Sequence, residues 1–160
     1  MRLLLLVFFS LLCASCASHR KQASASLNIT EIKPRYIEAE SFTRITEYLT
    51  GAEYQGNRVI IRTDHTQRAG FYFTLVLNQD VRDLPQGTLI EGEFFTPKSK
   101  DAQTYSFQLP SQRPKTKEIF VGLTGEDWPE ENAVPAAWRF TIKDANGETL
   151  ATRQSYLWSL

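Results

Sequence analysis

A histidine beside an aspartate, a short acidic segment and a few aromatic residues are the groups in this sequence whose types and spacing could do chemistry. His65 lies in Thr63-Asp64-His65-Thr66-Gln67, and a histidine oriented by a carboxylate is the arrangement of a general base. Side chains adjacent along a strand or turn point apart, however, and no Gly-x-Ser-x-Gly elbow presents a nucleophile to it. His65 is therefore expected to be a solvated turn residue. The segment Gly125-Glu126-Asp127-Trp128-Pro129-Glu130-Glu131-Asn132 carries four carboxylates, a composition that can bind calcium or supply an acid and a base. It lacks the alternating ligands and central glycine of a calcium loop. Acid–base hydrolysis further needs two carboxylates held apart across a substrate. A solvated acidic loop is the plainer expectation. Glu91 and Glu93 share one face of a predicted strand with Ile90 and Phe94 on the other, which assigns the pair to the solvent side.

Flat rings remain. Trp128, in an acidic and proline-containing setting, and Tyr54 and Tyr48, near the ends of predicted elements, are the candidate ligand-binding residues. Exposed rings stack on sugars or anchor a protein partner. Trp138 alternates with Phe140 and Ile142, which assigns it to the core, and Trp158 is expected to pin the last strand. A zinc site needs three or four clustered ligands, and beyond residue 19 the chain has one histidine and no cysteine. Neither a phosphate-binding loop nor a dinucleotide fingerprint occurs. No catalytic residue, metal or cofactor is expected.

The elements that must position these groups read as strands. The 160 residues are 42% hydrophobic and 22% charged, an ordinary globular composition. Lys plus Arg and Asp plus Glu balance at 18 each, which excludes a nucleic-acid partner that depends on counterion release and electrostatic attachment to anionic lipid. Strands are predicted at 43–48, 58–63, 71–77, 89–95, 105–109, 118–123, 138–143 and 149–158, separated by glycine and proline turns. Residues 41–49 have an alternative helical reading, because Ile45, Tyr48 and Leu49 share a helical face. Asp144-Ala145-Asn146-Gly147-Glu148 predicts a three-residue hairpin loop with Gly147 left-handed, which places Ile142 opposite Leu150. The fold expected for residues 34–160 is an all-β, immunoglobulin-like β-sandwich of about seven to eight antiparallel strands, without the paired cysteines that flank a tryptophan in true immunoglobulin domains.

Residues 1–15 read as a signal peptide: Arg2, an apolar run over residues 3–12 broken by Ser10, then small residues. The run is too short to span a bilayer. Cys13-Ala14-Ser15-Cys16 resembles the lipobox of bacterial lipoproteins, with Cys13 where leucine is commonest. The resemblance implies diacylglycerol on the Cys16 sulfur, anchoring the chain in a membrane. Ala17 and Ser18, with no aspartate after the cysteine, resemble the enterobacterial signal for the outer membrane. Ordinary cleavage after Ala17, giving a soluble periplasmic or secreted protein, is the alternative. Residues 16–33, polar and rich in Ser and Ala, are expected to be a flexible tether. Together these readings give an envelope lipoprotein whose non-catalytic sandwich contacts a protein partner. A glycan or peptidoglycan binder and a carboxylate-dependent hydrolase are the alternatives.

Overall fold

Alternation of side chains explains the strands. In β4 (Leu89–Phe95) burial alternates residue by residue, with Ile90, Gly92 and Phe94 turned inward and Glu91 and Glu93 outward. This is what a half-covered pleated sheet requires. The computed structural model describes residues 26–96, 99–128 and 130–159. Its other elements are β1 (Ile29–Ile37), α1 (Ile45–Thr50), β2 (Val59–Arg62), β3 (Gly70–Leu77), β5 (Gln103–Gln108), β6 (Glu118–Thr124), β7 (Ala137–Lys143) and β8 (Thr149–Gln154).

Two four-stranded sheets form, in the orders β1-β3-β6-β2 and β5-β4-β7-β8. They face each other, with β1 touching β8 at one edge and β2 touching β5 at the other. Every pairing is antiparallel except β2 with β6. The immunoglobulin arrangement places strands A-B-E-D against C′-C-F-G. Here β1, β3 and β6 occupy A, B and E, and β5, β4, β7 and β8 occupy C′, C, F and G. The fold is thus an immunoglobulin-like β-sandwich with one substitution. The D position is filled by β2, which arrives between A and B in the chain and runs parallel to β6.

The inner faces supply the main core. Phe73, Phe94 and Phe140 are fully buried, with ring centroids 5.0–5.3 Å apart, and each contributes on the order of 1.5–3 kcal/mol by leaving water. β3 and β6 are buried on both faces, because the segment between β1 and β2 crosses the outer face of their sheet. There Ile37, Phe42, Ile60, Tyr72 and Phe120 form a second, smaller core.

Two expectations about the start of the domain change. Residues 43–48 are not a strand. A 3-10 turn at Ala39–Phe42 leads into α1, which Gly51 closes in the left-handed conformation at φ 68°. The helix is set at its ends, where Glu47 accepts the Arg44 N–H at 3.2 Å and Gly51 supplies the left-handed cap. Strand β1 begins at Ile29, inside the segment read as tether, and pairs with β3 up to Ile37. Pro34 lies within it, which is tolerated because β1 is an edge strand. Arg153 of β8 donates to the carbonyls of Ile29 and Thr30 at 2.8 and 2.6 Å, fixing that edge. The signal peptide, Cys16 and the tether as far as residue 25 lie outside the described residues.

The terminal hairpin has the expected loop and a different register. Asp144 N–H donates to Glu148 O at 2.9 Å, Gly147 N–H donates to Asp144 O at 3.1 Å, and Gly147 sits at φ 84°. Lys143 pairs with Thr149, but Ile142 pairs with Ala151, not Leu150. Leu150 is the bulged residue, which brings Ala151 under the core and leaves Leu150 in a cavity of about 750 Å³ beside Leu27 and Leu84.

Candidate functional site

The crossover between β1 and β2 is held by a buried polar network centred on Tyr72. Its ring lies across Gly122, its partner in β6, where a Cβ would fall 2.8 and 2.9 Å from ring carbons Cζ and Cδ1. Only glycine leaves room for the ring. Tyr72 Oη donates to the Arg68 carbonyl at 2.7 Å and accepts from Arg62 Nε at 2.7 Å. Arg62 is 5% exposed. Its guanidinium lies 5.0 Å over the Phe42 ring and grips Glu53 with two hydrogen bonds, of 2.8 and 3.1 Å. Burial by itself lowers the Arg62 pKa, but the hydrogen bond to Glu53 and the contact with Tyr72 outweigh it, so the net direction is upward and the group stays charged.

Arg68 extends the network to the helix. It donates to Glu47 Oε2 at 2.6 Å and lies 3.8 Å from Glu53. The other Glu47 oxygen accepts the N–H groups of Arg44 and Tyr54 at 3.2 and 3.3 Å. Desolvation pushes the Glu47 pKa up. The Arg68 hydrogen bond and these two backbone donors override it, and the carboxyl is held below its ordinary value.

The result is an inverted helix. A surface helix ordinarily turns its apolar stripe to the protein and its charges to water. Helix α1 turns Glu47 inward, with its side chain 8% exposed. Ile45, Tyr48 and Leu49 are 83%, 82% and 84% exposed, and Tyr54 beside them is 56% exposed. A shallow hollow of about 330 Å³ lies at the same place, lined by Thr43, Arg44, Ile45, Thr46 and Tyr54. Clustered apolar exposure of this kind is uncommon on a protein surface, where exposed apolar side chains are ordinarily scattered singly.

Trp128 does not join this surface. It is 3% exposed, lies in the main core and stacks 4.7 Å from Phe71. The expectation that it is an exposed ligand platform is corrected. A 3-10 turn at Gly125–Asp127, with Gly125 at φ 61°, redirects the chain so that the indole enters the sandwich. Its Nε1 is buried without a hydrogen-bond partner among the described residues. Tyr48 and Tyr54 are exposed, and Tyr54 lines the hollow with Thr43, Arg44, Ile45 and Thr46. Trp138 is half-buried against Phe73 and Phe140, each 6.0 Å away. Trp158 lies between Phe95 and the Arg139 guanidinium, at 5.3 and 4.9 Å.

The acidic loop divides. Glu130 and Glu131 are exposed. Asp127 accepts a hydrogen bond from Tyr105 Oη at 2.9 Å, and burial together with that bond pushes the Tyr105 pKa up to about 12. Asp127, Tyr105, His65, Thr63 and Arg62 line a cleft of about 370 Å³ between the edge strands β2 and β5. His65 is exposed there, and its neighbour Asp64 spends one carboxylate oxygen on the N–H and hydroxyl of Thr66, at 2.8 and 2.7 Å. Among the described residues no group of three or more His, Cys, Asp or Glu is placed to hold a metal ion. Glu91 and Glu93 point outward from β4 and pair with Lys143 and Arg139 on β7.

No family model matches the chain, and no curated protein matches it. Among solved structures it is similar to an immunoglobulin-like protein from Pseudomonas aeruginosa. The two share 13% identity, the match covers 82% of this chain and 96% of that one, and the TM-score is 0.31.

Proposed function

We propose that this protein is a membrane-tethered lipoprotein of the cell envelope whose β-sandwich is non-catalytic and acts through protein–protein contact at α1. The inverted helix is the observation that carries the reading. Glu47 of α1 turns inward to ion-pair with Arg68, which also lies beside Glu53, while the three apolar side chains of the helix face solvent. Arranging charge inside and hydrocarbon outside is costly for an isolated domain, and a partner that covers the hydrocarbon offsets the cost. The lipobox-like cysteine supports the tether. From Cys16 to Ile29 the chain can reach at most ~45 Å, enough to place the sandwich clear of a lipid surface. The stacking-platform alternative keeps only Tyr48 and Tyr54, since Trp128 is in the core.

The test is cross-linked recovery of protein partners from intact envelopes, using the full chain and its Leu49→Glu variant. A partner recovered by the first and lost by the second, with the thermal midpoint unchanged, supports the reading. Equal recovery by both variants overturns α1 as the contact. A companion Cys16→Ala variant is expected to move from the membrane fraction to the soluble fraction.

A further inference from the structure

The α1 patch carries both a projection and a recess. The projection is Tyr48 and Leu49, standing out from the helix at 82% and 84% exposure. The recess is the shallow hollow of about 330 Å³ lined by Ile45, Tyr54, Thr43, Arg44 and Thr46. One surface that holds a knob and a hole side by side can meet its own copy across a two-fold axis, each knob entering the other's hole.

We infer that the α1 patch pairs with the α1 patch of a second copy of this chain. The inference rests on the contact reading above and names the partner. Two further observations favour a copy. The first is charge. Glu47, Glu53, Arg62 and Arg68 are all paired within their own chain, so these four bring no unpaired charge to a contact between two patches. Exposed Glu40 and Arg44 in the same crossover have opposite signs, which suits a two-fold contact in which each meets the other's counterpart. The second is area. With side chains of about 150–250 Å² each, the four exposures come to roughly 450–750 Å² per chain. Two copies that covered all of it would bury about 900–1,500 Å², a range that spans the lower bound for a specific interface of about 1,000–1,200 Å². Such a dimer is weak in dilute solution and gains from confinement of both copies to one membrane, which raises their effective concentration.

The test replaces Tyr48 with p-benzoylphenylalanine in the full chain, expressed in its envelope with two differently tagged copies present. Irradiation is expected to give an adduct of twice the chain's mass that carries both tags. Leu49→Glu in the same chain is expected to lower its yield about tenfold or more. The same photoreactive residue at Glu91, on the far sheet, is expected to give none. An adduct of Tyr48 with a different protein overturns the second copy as occupant and leaves the contact reading standing. No adduct at Tyr48 overturns both. A double-mass adduct that is indifferent to Leu49→Glu, or equally strong from Glu91, is crowding and overturns the inference alone.

Discussion

Replacing Gly122 with alanine tests the platform on which α1 rests. The added Cβ falls 2.8 and 2.9 Å from Tyr72 Cζ and Cδ1, and closer still to Cε1. The ring cannot swing aside freely, because its hydroxyl is fixed at 2.7 Å to both the Arg68 carbonyl and Arg62 Nε. Overpacking of this kind costs about 1–3 kcal/mol. Losing the hydroxyl's bonds, one of them to a charged donor, costs a further ~1–2 kcal/mol. Alanine returns about 0.5–1 kcal/mol of backbone entropy relative to glycine in a strand. The net expectation is a loss of about 2–3 kcal/mol. With a urea slope of about 2 kcal/mol/M, the midpoint falls by roughly 1–1.5 M. The decisive comparison repeats the substitution in a Tyr72→Ala background. There the ring is gone, and Gly122→Ala is expected to be neutral or slightly stabilising, which makes the coupling between the two sites at least ~2 kcal/mol. A Gly122→Ala loss of the same size in both backgrounds, or no loss in either, refutes the reasoning.

Other outcomes follow from the same geometry. Tyr105, with its pKa raised to about 12, is expected to ionise later in the folded protein than in the unfolded chain. Its contribution to stability is therefore full below pH ~10 and lost as pH rises toward 12, and Tyr105→Phe removes that component from an alkaline unfolding series. Glu47, held below its ordinary value mainly by Arg68 against desolvation, supports α1 above the usual carboxylate range and releases it as pH falls through its lowered pKa. Limited proteolysis within residues 38–58 is expected to rise on acidification in the native chain and to be high at all pH values in Glu47→Gln. Trp128→Ala is expected to cost about 3–5 kcal/mol by leaving a cavity against Phe71. Trp128→Phe is expected to cost less than half of that, since the lost N–H makes no hydrogen bond among the described residues, and equal losses from the two in chemical denaturation contradict the packing account.

Much of the sandwich was legible because its period is local. Residues 71–77 form a nearly continuous aromatic and β-branched run and residues 138–143 alternate plainly, and β3 and β7 lie there. Strand β1 was missed because an edge strand need bury only part of one face. Among its nine residues only Ile29 and Ile37 are buried, and Pro34 reads as a boundary. Leu150 was assigned opposite Ile142 because loop length alone sets the register only up to the next bulge. Trp128 misled for a different reason. Its acidic neighbours describe the turn, whereas its position is set by Phe71, far away in sequence. At α1 the helical face of Ile45, Tyr48 and Leu49 was readable. Which way that face points was not, because it is decided by Arg68, 21 residues from Glu47, and apolar residues are ordinarily assigned inward.

The strand in the D position also sets when the patch comes into being. Val59 of β2 pairs with Ile119 of β6, 60 residues later, and the Tyr72 ring needs Gly122 beneath it. As the chain is synthesised, residues 38–58 emerge well before the strand that completes their support. Closing so long a loop is slow relative to local structure, so the crossover is among the last segments to settle. Ile45, Tyr48 and Leu49 are then a surface of fixed shape only on a molecule that has finished folding, so under the contact proposed for α1 a partner would engage complete molecules and pass over unfinished ones.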